Sequence, residues 1–466
     1  MNTLSLALRN LLRNLLRNRR RSLATLLAMV IGLCAILLFG GYAGSTIYAM
    51  QTGYVQLHGH LQIQRKDYFL YGSGNPADYA IADYVPMLGQ VRSDPVLAPL
   101  LTVATPKLQL GGIAGNFAAG VSTNVFSSGV VAPEQAQLRE WDDYGNMSYA
   151  PPIALLNTPA NSIVIGTGVA RKLQLCQALG VRPCQPPGKP SAASGVSAPD
   201  DILALSAQET QAAPNAPQTH IEMLAATVHG APNVVGLNVV KAENFGLKEF
   251  DDSYTMMHLT QAQRLVYGAG APQVTAIQIQ LQHTAQMSEA KARLEQMLET
   301  GKPDSPLEIV DYETLAPIYG QTIEFFQSVF GFIATLIGVI VLFTVGNTMS
   351  MAVVERTPEI GTLRAIGLRQ GGIRRLFVCE GLVLGVAGAV LGSVLALLLA
   401  TLINHSGLTW TPPGYVYAYP LKVRVWGAWA MVAGSAAGLV MVAGLSAWWP
   451  ARRAARLLIV DALRHT

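Results

Sequence analysis

The stretch Val353–Gly381, VVERTPEIGTLRAIGLRQGGIRRLFVCEG, is a charged bridge between two long apolar runs, and its reading decides the fold. Runs of that length and apolarity belong in a bilayer, so the bridge must lie in water. Within it Thr357 is an N-cap residue type, Pro358 suits a first helical turn, Glu359 favours the positive end of the helix dipole, and Gly367 is a stop signal. The expected helix has about nine residues and is roughly 13 Å long. Along it Ile360, Leu363 and Ile366 fall at i, i+3 and i+6, a narrow apolar stripe. A helix so short is not stable alone and is expected to dock onto something. Arginines at 356, 364, 369, 374 and 375 stand against Glu355, Glu359 and Glu380, which places the bridge on the cytoplasmic side.

Composition agrees with a membrane protein. Of 466 residues, 51% are hydrophobic and only 13% charged, too apolar for an ordinary soluble chain of this size. The net charge of +4 does not indicate nucleic acid, because fifteen of the 32 Lys and Arg sit in three short segments at membrane edges. Residues 1–22 carry six arginines without an acid, with leucines at helical spacing, and read as a basic amphipathic helix on the cytoplasmic leaflet. Leu23–Tyr48 follows without a charge, longer than the roughly 20 residues that cross a bilayer core and longer than the apolar region of a signal peptide.

Between the first and second apolar runs lies a long mixed-polar segment, 49–321, with 15 basic and 23 acidic residues, a net of −8. Alternation at Leu57, Gly59, Leu61 and Ile63, together with 162–165, 225–228, 234–240 and 274–281, predicts strands, whereas 288–298 has helix formers at helical spacing. The expected fold class is therefore an integral membrane protein with four transmembrane α-helices and a large α+β extracytoplasmic domain inserted between helices 1 and 2. The expected division is an amphipathic helix at 1–22, crossings at 23–48, 322–354 (with a stalk), 376–403 and 425–449, the domain at 49–321, a charged loop at 355–375, an outer loop at 404–424 and a cytoplasmic tail at 450–466. A flexible excursion rich in Pro, Ala, Ser and Gln is expected at about 185–220.

Side-chain constellations are few. Gly381, Gly385, Gly388 and Gly392 in the third crossing, Gly434 and Gly438 in the fourth, and Gly40 with Gly44 in the first allow close helix approach, either at a seam between chains or within one chain. Cys176 and Cys184 are the only cysteines of the inserted domain, and an oxidising compartment would pair them as a disulfide. His58 and His60 suggest a metal, yet in an alternating strand they share a polar face with Gln56, Gln62 and Gln64, so a solvated face is expected and no metal site. Glu324 and Glu380 border the crossings, where a relay or substrate role is one reading, but their positions at the ends favour simple hydration or snorkelling. The P-loop pattern GxxxxGK[ST], HExxH and GxSxG are all absent, so no catalytic residues are assigned.

The run ERTPEIGTLRAIG, together with Trp449-Pro450-Ala451-Arg452-Arg453-Ala454-Ala455 and Ala462-Leu463-Arg464 near the C-terminus, resembles the signature of the FtsX-like/MacB-like ABC transporter permease family. These are type VII transporters, related to the lipoprotein-releasing LolC/LolE permeases. The resemblance is strongest from about Thr314 onward, reasonable over the first 65 residues, and loose through the inserted domain. It implies that the short helix is a coupling helix, with Glu355, Thr357, Pro358, Glu359, Ile360, Leu363, Ile366 and Gly367 engaging a separate cytoplasmic ABC ATPase subunit. ATP and Mg would be bound by that subunit, with no cofactor in this chain, which begins at its amphipathic helix. The resemblance further implies a second permease chain, identical or related, in the bacterial inner membrane. Both termini would be cytoplasmic and the inserted domain periplasmic, with a periplasmic adaptor or substrate-binding partner as an option. The functions implied are export or extraction of a lipid, lipoprotein, peptide or amphiphile, or mechanotransmission to a periplasmic partner such as a cell-wall hydrolase. A membrane-anchored enzyme is the remaining class.

Overall fold

In the computed structural model the described residues are 19–72, 74–145, 152–184, 219–301, 306–411 and 418–457. The chain divides into two compact units, one of Met1–Tyr48, Ile318–Trp410 and Tyr419–Thr466, the other of Ala49–Pro317 and Thr411–Ala418. The amphipathic segment ahead of residue 19, the excursion at 185–218 and the Ala462-Leu463-Arg464 motif lie outside the described residues.

The first unit is built on four apolar helices, each long enough to cross a membrane: α1 (Arg19–His58), α2 (Pro317–Glu355), α4 (Gln370–His405) and α5 (Trp429–Ala455), with the short α3 (Thr357–Ala365) between α2 and α4. With no hydrophobic gain from burial in lipid, such helices associate by close packing of small residues. Here that packing is inside one chain. A Cβ added at Gly381 would lie 2.5 Å from Ala447 Cβ, and one at Gly385 2.9 Å from Ala443 Cβ, so the first half of the α4 glycine row seats α5. The second half seats α1, since a Cβ at Gly388 would meet Met29 at 2.9 Å and one at Gly392 would meet Leu33 at 3.1 Å. By contrast, among the described residues nothing lies within 4 Å of such an atom at Gly434, Gly438 or Gly44. The Thr25 and Thr348 hydroxyls join α1 to α2 at 2.6 Å.

The second unit carries a nine-stranded sheet, β3-β7-β4-β6-β5-β2-β8-β1-β9, from β1 (Leu61–Arg65), β2 (Leu101–Asn116), β3 (Val121–Val130), β4 (Ser162–Gly166), β5 (His220–Ala226), β6 (Pro232–Glu243), β7 (Tyr254–His258), β8 (Ala276–Leu281) and β9 (Leu307–Asp311). Because β2 also pairs with β3, six of these strands close on themselves and leave no edge between β3 and β5. The 16-residue β2 serves both parts: its first half pairs with β8, and its second half lies between β3 and β5. Leu108, Leu110, Ile163, Ile165, Met223, Leu237 and Met257 fill the core of the closed part, with the helix Leu259–Tyr267 packed on it. The inserted domain is α+β, as the alternating and helical patterns predict.

Two sequence expectations need correction here. The alternation from Leu57 to Ile63 is not one strand, because α1 continues to His58, Gly59 turns the chain at φ +74°, and only then does β1 begin. His60, Gln62 and Gln64 are consequently buried on a strand covered on both faces, not arrayed on a solvated one. Polar side chains survive there because they satisfy backbone groups. Gln278 Nε2 donates to the Leu57 carbonyl and Gln62 Nε2 to that of His58, each at 2.8 Å, supplying partners that the last carbonyls of a helix otherwise lack. His60 Nδ1 accepts the Leu281 N–H at 3.0 Å, its ring stands edge-on to Trp141, and burial pushes its pKa down to about 4 against a weaker upward pull from Asp143. Lys107 reaches the Leu57 carbonyl at 3.4 Å, and burial lowers it to about 8.

Candidate functional site

The helix α3 starts one residue after α2 ends, and that short break fixes how it begins. Arg356 occupies the N-cap, with Thr357 and Pro358 already in the first turn. Thr357 is therefore not the cap that its residue type suggests. Its hydroxyl donates back to the Val353 carbonyl at 3.1 Å, the i−4 bond open to a threonine inside a helical segment. Pro358 sits where its missing N–H costs nothing, and Glu359 lies exposed in the first turn. At the other end Gly367 takes φ +102°, its N–H bonds to Arg364, and the Leu368 N–H bonds to Leu363, each at 3.0 Å. This six-to-one and five-to-two pair is the Schellman closure, which a residue with a Cβ would strain.

The apolar stripe is divided between two surroundings. Ile360 is 3% exposed and belongs to the buried cluster that also holds Val353, Ile373, Phe377, Ala451 and Ala454, so it faces the chain's own helices and is not available to a partner. Leu363 is 39% exposed and Ile366 81% exposed, with Leu368 and Val354 exposed nearby. The geometry explains the split. At about 100° per residue, positions i, i+3 and i+6 precess across some 120° of helix surface, so the first faces inward when the last faces outward. Glu355 also lies on the exposed surface.

Arg356 and Arg364 each tie α3 to a more distant part of the chain, and neither tie was apparent from spacing. Arg356 presents its guanidinium to Glu380 of α4, Nη2 to Oε1 at 3.3 Å and Nη1 to Oε2 at 3.4 Å, with Glu380 only 9% exposed. Glu380 is thus not merely a hydrated border residue. The available signal was an acid inside an apolar helix, which is costly without a partner. Arg364 donates to the carbonyl of Leu457, just past α5. In the inserted domain Cys176 and Cys184 form a disulfide, with Cα atoms 5.7 Å apart. Among the described residues no group of three or more His, Cys, Asp or Glu is arranged to hold a metal ion.

Four membrane-length helices, a large α+β insertion after the first, and a short clamped helix between the second and third define a multi-pass membrane protein with the FtsX/MacB-like type VII permease fold. Residues 329–459 match the FtsX-like permease C-terminal family, a span that includes α3, α4 and α5, and the relatives support an FtsX/MacB-like ABC transporter permease. An uncharacterized ABC transporter permease of Methanocaldococcus jannaschii is 32% identical over 146 residues, 28% of this chain and 35% of the relative. The pyoverdine export ATP-binding/permease protein PvdT of Pseudomonas entomophila is 29% identical over 231 residues, 49% of this chain and 33% of that one. The macrolide export ATP-binding/permease protein MacB of Sodalis glossinidius is 33% identical over 138 residues, 29% of this chain and 19% of the relative. The chain therefore spans about a third or less of the length of these relatives.

Proposed function

We propose that this chain is the permease subunit of an ABC transporter in a bacterial inner membrane, coupling ATP hydrolysis by a separate cytoplasmic ATPase to motion of a periplasmic inserted domain. The observation that carries the reading is α3, a helix fastened to the membrane helices along one edge while Leu363 and Ile366 stay exposed along the other. Exposed apolar side chains on a rigid, charged cytoplasmic element are what a partner groove would bury. Arginines at both ends of the bridge orient it inward. ATP and Mg belong to the partner, while Glu355 and Glu359 provide register by pairing with basic groups on its rim, an effect that salt weakens. Such ATPases act in pairs, so a second permease chain, identical or related, completes the assembly.

The relatives named for export of pyoverdine and of macrolide favour outward movement of a small amphiphile as the activity, with a lipid, lipoprotein or peptide as the other cargoes that the family resemblance implies. The test is co-purification of the full chain with its ATPase, followed by ATP hydrolysis with and without Leu363→Asp. Loss of stimulation with normal membrane insertion supports the reading. Normal stimulation by Leu363→Asp would reduce α3 to a solvated connector and remove the proposal's main support.

A further inference from the structure

We infer that Arg356 and Glu380 form the positioning pair that makes α3 move with α4, so that force applied at the ATPase contact enters the membrane through α4 and not through the covalent link to α2. The inference rests on reading α3 as the coupling helix and deepens it. Three observations converge. First, the N-cap of α3 has no side-chain cap of the usual kind; Arg356 occupies it and sends both terminal nitrogens to the two oxygens of one carboxylate. A two-point contact of planar groups fixes direction as well as distance, which a lysine in the same place would not do. Second, Glu380 is buried on a face of α4 otherwise made of Ile373, Phe377, Gly381 and Leu384, where a charge is tolerated only if held. Hydrophobic replacement of a buried ion pair is often neutral or stabilising, so the pair is poorly explained by stability alone. Third, further fastenings of α3 reach α4 and α5 as well as α2: Ile360 belongs to one buried cluster with Ile373 and Phe377 of α4, Ala451 and Ala454 of α5 and Val353 of α2, and Arg364 bonds to Leu457 just beyond α5. Gly381, the residue after Glu380, is where α4 closes onto Ala447 of α5, so the point that Arg356 grips adjoins a close approach of the two helices.

The test uses the full chain in lipid nanodiscs with its co-purified ATPase and a nitroxide label at position 365, an exposed α3 residue outside the proposed contact, reading label mobility and ATP hydrolysis together. Arg356→Gln and Glu380→Gln are each expected to raise mobility and to lower stimulated hydrolysis about fivefold while the ATPase still binds, and the exchange Arg356→Glu with Glu380→Arg to recover both within about twofold. A merely structural role would lower permease level without that recovery. Should the glutamine variants fail to accumulate, Arg356→Lys and Glu380→Asp keep both charges, lose only the two-point geometry, and are expected to raise mobility in the same direction. Unchanged mobility in the Arg356 variants overturns the pair, as does an effect of Glu380→Gln that Arg356→Gln does not share, since Glu380 would then act through another group. Failure of the coupling reading itself gives a different pattern, in which mobility responds to the pair while ATP hydrolysis responds to none of these variants.

Discussion

Replacing Ile366 by alanine separates the two halves of the α3 stripe. Full burial of an isoleucine side chain is worth about 1.5–3 kcal/mol, and Ile366, 81% exposed, retains most of that for a partner. With the Cβ kept in alanine, Ile366→Ala is expected to weaken ATPase binding by about 1–2 kcal/mol, roughly tenfold in Kd. Leu363, 39% exposed, has less left to bury, and Leu363→Ala should cost below about 1 kcal/mol, or roughly threefold. Ile360, 3% exposed, has nothing to offer a partner. Ile360→Ala opens a cavity in the buried cluster that holds it, and costs about 2–5 kcal/mol of stability, with affinity falling only as far as α3 loosens. The assay is titration of the labelled ATPase against the three variants in detergent or nanodiscs, beside thermal unfolding of each. The refuting result is wild-type affinity in Ile366→Ala, because no groove that receives this helix avoids its most exposed apolar side chain.

Burial holds the His60 pKa near 4, below its ordinary 6.5, so the fold favours the neutral ring and the unfolded chain takes up the proton first. Stability from this group is complete above pH 6.5 and declines by about 3 kcal/mol as pH falls toward 4; Trp141 fluorescence against the His60 ring reports it, and an equally acid-sensitive His60→Asn variant would disprove the assignment. Gly385→Val drives a side chain into Ala443 and Val440 and should disrupt α4–α5 packing, at about 1–3 kcal/mol or more. Gly438→Ala meets nothing within 4 Å among the described residues and should gain about 0.8–1 kcal/mol of helix propensity, unless cross-linking of two copies falls with it, which would mark that face as a seam. Mass spectrometry of freshly isolated protein is expected to find Cys176 and Cys184 oxidised; the bond contributes about 2–3 kcal/mol, and two free thiols would rule it out. A cysteine placed at position 370 is expected to react only from the cytoplasmic side, and labelling from outside intact cells would overturn the topology.

Much of this molecule was legible in one dimension because it depends on properties that accumulate along the chain. Four long apolar runs identify membrane helices whatever their neighbours, since the bilayer acts on each helix separately, and the arginine distribution predicts their orientation by the same local logic. Thr357–Ala365 could be drawn from Pro358 and Gly367 because helix ends are local chemistry. What needed the tertiary structure were the facts set by pairs of distant residues. Periodicity names a stripe but not its partner, so only packing shows that Ile360 turns inward while Ile366 does not. Arg356 and Glu380 are 24 residues apart in sequence, and their contact exists because α2 and α4 return to the same level through a bridge of fixed length. His60 and Gln62 follow the pattern of a solvated strand, and only the strands and helices that close over both faces of β1 bury them. The glycine row of α4 likewise announces close approach, but whether the approaching surface is α5, α1 or another chain is decided by which backbones arrive, a property of three-dimensional placement that no spacing encodes.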